Sequence, residues 1–329
     1  MQTLFSDAKK TNVLAGGLGM VLRNKRYILW FWLLDLTLAE FGTSAFRQNV
    51  HAIMDHSSYA NGLIHGFDLS VMIELFARPE FGTMQAMQMP AMYFGFVFIL
   101  ATALFLPGVF QSYASTYRLP RMDFFRACGR NLWRFIRLLL IAGIVMGIVA
   151  GILFGIDGAI SKKAADSTNE LLPFTLQMIG LGVIFLVMST LRIWFDLTEV
   201  NMVLDDQGVW ISLGPGFRHT FRSLGRLLGS YVLITIFAAA ILLAGILTWK
   251  AAARPESIVC AFVVSQLTLL LLLIPRFWQR GVAVSYWQQY MMLPVVVVAP
   301  VEPVPAPVAV VVPEPAPIIA LPPSEPASS

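Results

Sequence analysis

Two stretches of the chain, FRACGRNLWR at 125–134 and FRHTFRSLGR at 217–226, each place three arginines at four-residue intervals. The first set is Arg126, Arg130 and Arg134, and the second is Arg218, Arg222 and Arg226. On a helix each step of four advances only about 40°, so three guanidiniums share one stripe. The chemistry such a row can do is to bind the phosphates of anionic lipid headgroups, because a guanidinium presents fixed N–H donors to phosphate oxygens. Near an anionic membrane surface each Arg is favoured by roughly 1 kcal/mol, so a stripe contributes about 3 kcal/mol before screening. Phe125, Leu132, Trp133 and Phe135 fall largely off the first stripe. Each segment is therefore predicted to lie along a headgroup layer as an amphipathic elbow, apolar face down. The plainer alternative is topogenic charge that merely flanks a membrane crossing.

The elements that must position these rows follow from composition. With 57% hydrophobic and 13% charged residues, the chain is far too apolar for a soluble domain of this length. Six apolar runs are long enough to cross about 30 Å of hydrocarbon as helices: 27–46, 91–110, 137–157, 174–195, 228–249 and 257–275. A transmembrane barrel would alternate in polarity over about ten residues per strand, whereas LLLIAGIVMGIVAGILF is apolar on every side. The expected class is an all-α integral membrane protein of six transmembrane helices, arranged as three hairpins with interfacial elbow helices.

Orientation follows from Lys and Arg. With the N-terminus inside, the inner segments hold 17 basic residues: five in 1–26, six in 118–137, four in 192–226 and two in 276–280. The outer side then holds six, namely Arg47, Arg78, Lys162, Lys163, Lys250 and Arg254. This bias predicts both termini in the cytoplasm of a bacterial inner membrane. MQTLFSDAKK lacks the apolar core and cleavage site of a removable signal peptide. Cys128 and Cys260 fall on opposite sides and are not expected to pair.

The doubled Arg row belongs to a longer repeat. Asn131-Leu132 matches Ser223-Leu224; each copy then enters a span, turns, and returns through a second span ending in Arg192-Ile-Trp194 or Arg276-Phe-Trp278. The predicted segments are 1–26, a first hairpin at 27–110 with a long outer loop at 47–90, a second elbow and hairpin at 118–216, and a third at 217–293. A tail at 294–329 follows. A third copy at the N-terminus is weaker, since LGMVLRNKRYILW has Arg23, Lys25 and Arg26 without the four-residue spacing.

An Arg-rich elbow before each hairpin, and a returning span that runs into RIWFDLTEVNMVLDDQG, resembles a broad group of bacterial multi-pass proteins. That group includes the membrane domain accompanying some glycerophosphoryl diester phosphodiesterases. The resemblance covers roughly residues 120 to 290. It implies this fold and topology, and it brings no catalytic residues.

Other candidate residues lie within the spans. Thr37, Glu40, Ser44 and Arg47 make one polar stripe on the first span, with Asp35 pointing elsewhere. The stripe reads either as a helix–helix contact or as a water-filled groove lined by Glu40. Asp196 and Glu199 are expected to pair with Arg192 or with an elbow Arg. Gly143, Gly147, Gly151 and Gly155 repeat every four residues on the third span and predict close packing against another helix, the fifth span or a second subunit.

In the outer loop, FDLSVMIELFARP reads as a short amphipathic helix. His51, His56 and His65 stand near Met84, Met87, Met89 and Met92 without metal-ligand spacing. His219 is expected at headgroup level. HExxH, GxSxG and GxxxxGK[ST] are all absent from the sequence, so no catalytic residue, metal or cofactor is expected. The tail at 294–329, rich in Pro, Val and Ala, is predicted to be extended and disordered. The function expected is a non-enzymatic membrane protein that organises or senses the inner leaflet or scaffolds a complex; the alternative is a transporter or channel. Expected partners are anionic membrane lipids, with a second copy or another protein as a further candidate. Nothing points to nucleic acid.

Overall fold

A computed structural model describes residues 12–54, 73, 84–115, 117–165, 171–252 and 258–292, with backbone alone at 43–54, 84–91, 164–165, 252 and 258. Among the described residues the chain is all-helical, with no strand. The order is α1 (Val13–Arg23), α2 (Arg26–Met54), α3 (Met84–Ala114), α4 (Arg121–Ala165), α5 (Leu171–Leu204), α6 (Val209–Arg222), α7 (Leu224–Ala252) and α8 (Ile258–Tyr286). A π-helical turn, Trp287–Met291, closes it. Among the described residues five stretches are long and apolar enough to cross a membrane: Met92–Ala114, Arg121–Lys163, Leu171–Leu204, Leu224–Ala251 and Val259–Met291. The loop helix expected at 68–79, His56, His65 and the tail lie outside the described residues, apart from Ile73.

The core sits at one end of the bundle. It is built from α1, the first turns of α2, α4 and α7, and the last turns of α3, α5 and α8, with Val109, Phe110, Ile193, Leu197, Ile234 and Val282 fully buried. Away from that end the hairpins are largely uncovered. Ile144, Ile148, Ile152, Leu243 and Leu247 all stand exposed, as side chains that face lipid must.

Two expectations require correction. The segment carrying Arg126, Arg130 and Arg134 is not a separate elbow, because α4 runs unbroken for 45 residues, about 67 Å at 1.5 Å per residue. The local sequence permits this, since Asn131-Leu-Trp-Arg-Phe-Ile-Arg-Leu holds no proline or glycine and Leu and Arg favour continuation of a helix. Secondly, the expected contact of Gly143, Gly147, Gly151 and Gly155 with the 228–249 span is not made, since among the described residues a Cβ at any of the four would meet nothing within 4 Å; the alternative partner, a second subunit, remains the expectation. α7 uses Gly245 instead to approach Thr268 of α8. Spacing alone identified a smooth strip on α4 without showing what, if anything, packs on it.

Candidate functional site

Three amphipathic segments dock at the packed end, each on the returning helix of a hairpin. α6 turns a face of small residues, Val209, Ser212, Gly216 and Thr220, onto α5. A Cβ on Gly216 would strike Thr198, and Trp194 Nε1 donates to the Leu213 carbonyl at 3.1 Å. α1 repeats this on α8 through Val13, Gly17 and Val21. Here Trp278 Nε1 donates to the Leu14 carbonyl at 2.9 Å, and a Cβ on Gly17 would lie 2.6 Å from Val282 N. In both, the glycine follows the acceptor leucine by three residues and opposes the residue four beyond the tryptophan.

The helix breaks agree as well. α1 ends at Asn24 (φ −113°, ψ 32°) and α6 at Ser223 (φ −121°, ψ 27°). The α1–α2 junction thus resembles the α6–α7 junction in its tryptophan bond, its close-approach glycine and its break. In the middle copy the equivalent of Ser223 is Asn131, where the helix runs through. The space-making glycine has crossed the contact: Gly108 of α3 accommodates Phe124 and Cys128 of α4.

The six stripe arginines are divided by this architecture. Arg130 and Arg134 both reach Asp206 Oδ1, at 3.4 and 2.7 Å, tying α4 to the link between α5 and α6. Asp206 itself sits at φ 53°, a left-handed conformation that Asp tolerates better than most residues. Arg126 lies 3.5 Å from Asp123 on its own helix. Arg218 and Arg222 are exposed on α6. Arg226 lies beyond the break at Ser223, on α7, so the second row is not one continuous helical stripe. It donates to the Tyr290 hydroxyl at 3.0 Å, with its guanidinium 4.2 Å from the Tyr290 ring centroid.

His219, between Arg218 and Arg222, has its pKa lowered by burial first and then by those two guanidiniums. Burial raises Asp205, partly offset by the hydrogen bond it accepts from Trp287 Nε1 at 3.1 Å.

A second cluster lies within the core. Asp196 accepts from the Tyr231 hydroxyl at 2.7 Å and has Arg192 Nε at 3.8 Å. Tyr231 also faces the Gln279 carbonyl at 3.2 Å, and Gln279 reaches Thr235 at 3.4 Å. Arg280, only 8% exposed, is acted on by the charges of Glu199, Asp196 and Arg192, and Arg276 by those of Arg280, Arg192 and Asp35. Asp196 and Arg280 occupy equivalent repeat positions, four residues beyond Arg192 and Arg276. The repeat has placed opposite charges at one site of the copy and brought them together. The expected pairing of Asp196 with Arg192 is present, among the described residues no elbow arginine joins, and the cluster around Tyr231 and Arg280 was missed. The only sequence signal was that matched Arg-x-Trp-x-Asp and Arg-x-Trp-x-Arg spacing.

On α2, Thr37 donates to its own Leu33 carbonyl at 2.7 Å and is exposed, as is Glu40. The cavity between α2 and α3, about 250 Å³, is lined instead by Asp35 with Leu38, Gly42, Phe94 and Phe98. Ser44, Arg47 and His51 have no described side chains.

No protein-family model matches the chain. No curated protein and no solved structure matches it either.

Proposed function

We propose that the protein is a six-span inner-membrane protein of three hairpins, with α2 as the first crossing and both termini cytoplasmic, whose packed basic end binds the anionic headgroups of the inner leaflet. It organises or senses that leaflet, or scaffolds a complex on it, and is not an enzyme. The observation that carries this reading is the outer face of α6. Its small residues are used up against α5, while Trp210, Ile211, Phe217 and Phe221 stand exposed beside Arg218 and Arg222. Aromatic rings interleaved with guanidiniums on one exposed helix face suit the boundary between acyl chains and phosphates.

The test is the Arg218→Gln/Arg222→Gln variant in liposomes of graded phosphatidylglycerol content. The reading expects a weaker preference for anionic lipid than the parent protein has. An unchanged preference overturns it. A transport reading draws on the Asp35 cavity, and solute flux abolished by Asp35→Asn in proteoliposomes would favour it.

A further inference from the structure

The three-fold repeat creates three equivalent clefts, each between an outgoing span and the amphipathic segment of the next copy. Two are open. One, about 540 Å³, lies between α7 and α1 and is lined by Arg226, Gly229, Ser230, Leu233, Val13 and Tyr290 among others. The other, about 460 Å³, lies between α4 and α6 and is lined by Arg134, Arg137, Leu140, Ile141, Val209 and Trp210 among others. Arg134 and Arg226 are the same repeat position, 92 residues apart, as are Ile141 and Leu233. The third cleft, between α2 and α4, has Tyr27 where the others have arginine. It is filled from within: Phe124 stacks on Tyr27 with centroids 5.2 Å apart and meets Trp30 edge-on at 6.1 Å.

Each open cleft pairs one cation with an apolar track. Arg134 is engaged by Asp206, but Arg137, one turn further along, forms no ion pair among the described residues; its guanidinium lies over Trp133. Among the described residues Arg226 likewise forms no ion pair and meets the Tyr290 hydroxyl and the rings of Tyr286 and Tyr290. From Arg137 an exposed stripe continues through Ile144 and Ile148, and from Arg226 through Leu233 and Phe237. These residues stand seven and eleven positions on, which is one face of a helix. A guanidinium at the mouth with a lipid-facing apolar stripe above it is complementary to a phosphate carrying acyl chains. It is not complementary to a free anion, which would have no use for the stripe.

We infer that the two open clefts each hold one anionic phospholipid, its phosphate at Arg137 or Arg226 and an acyl chain along the adjoining stripe, while the third cleft is closed by its own aromatic residues. This rests on the lipid-binding reading above and makes it stoichiometric.

The experiment is native mass spectrometry of the full chain released from nanodiscs of mixed phosphatidylglycerol and phosphatidylethanolamine. The expected result is two retained phosphatidylglycerol molecules. Arg137→Gln should leave one, Arg226→Gln should leave one, and the double variant none. Gly229→Leu keeps every charge, and a Cβ there meets nothing within 4 Å, so the fold should accept it. The leucine would fill the first cleft and should also leave one lipid.

Arg218→Gln/Arg222→Gln should retain both lipids even while its preference for anionic bilayers drops. Failure of the clefts is thereby separable from failure of the broader reading. Retention unchanged in Arg137→Gln, Arg226→Gln and Gly229→Leu overturns the proposal, as does displacement of both lipids by millimolar inorganic phosphate.

Discussion

The Tyr231 hydroxyl donates to Asp196 Oδ2 at 2.7 Å, joining α7 to α5. Asp196 is 7% exposed and Tyr231 2% exposed, so neither has water as a substitute partner. Tyr231→Phe leaves a buried carboxylate short of a donor, which costs about 1–3 kcal/mol. The expected outcome is a lower melting temperature in detergent with unchanged helix content. A melting temperature equal to that of the parent would show that this bond does not hold the hairpins together.

Arg280, buried in the core, interacts electrostatically with Glu199 and Asp196. Removing one partner of a buried charge group strands the others, at about 3–5 kcal/mol. Arg280→Leu should therefore destabilise strongly, and Arg280→Leu with Glu199→Leu should recover part of the loss. Thermal melts of the two singles and the double give the coupling. Strictly additive losses would mean that the charges do not interact.

Gly17, buried, and Gly147, exposed, make opposite predictions. A side chain at Gly17 runs into the α8 backbone, whereas among the described residues one at Gly147 meets nothing within 4 Å. Gly17→Val should undock α1 and cost about 1–3 kcal/mol or more. Gly147→Val should leave the melting temperature of the monomer unchanged. Limited proteolysis near residue 24 provides a local readout of α1 release.

His219 sets a pH dependence. Because its folded pKa is lowered, by burial and then by Arg222 and Arg218, the unfolded chain binds a proton first as pH falls through about 6.5. Stability is therefore full above that value and declines below it until the folded pKa is reached. Asp205 acts in the opposite sense, since its raised pKa lets the folded state keep a proton that the unfolded state has released. Melts between pH 7.5 and 5.5 should show a decline that His219→Gln reduces; an equal slope in both proteins would rule out the imidazole.

How much of this could be read beforehand depended on range. Helical class and apolar stretches are local properties of 20 or so residues, and composition exposes them. The break at Ser223 and the run-through at Asn131 are not so exposed, because both rows carry the same Phe-Arg-x3-Arg-x3-Arg pattern. What differs is the environment of the junction: Ser223 accepts from Tyr286 at 2.9 Å on α8, and Asn131 instead turns its amide back to the Ala127 carbonyl at 3.1 Å.

The glycines of α4 showed their spacing without their partner. The cluster of Asp196, Tyr231 and Arg280 needs three helices to converge across 84 residues of chain, and only the matched Arg-x-Trp signatures pointed there. α1 escaped because its likeness to α6 lies in Leu14, Gly17 and the Trp278 bond, not in arginine spacing.

The central claim is that the packed, arginine-bearing end meets the cytoplasmic headgroup layer. In a background with Cys128→Ala and Cys260→Ala, Arg222→Cys is treated with a membrane-impermeant maleimide. Labelling in inverted vesicles and none in intact spheroplasts is the predicted result. Labelling from the outside of intact spheroplasts would contradict the account.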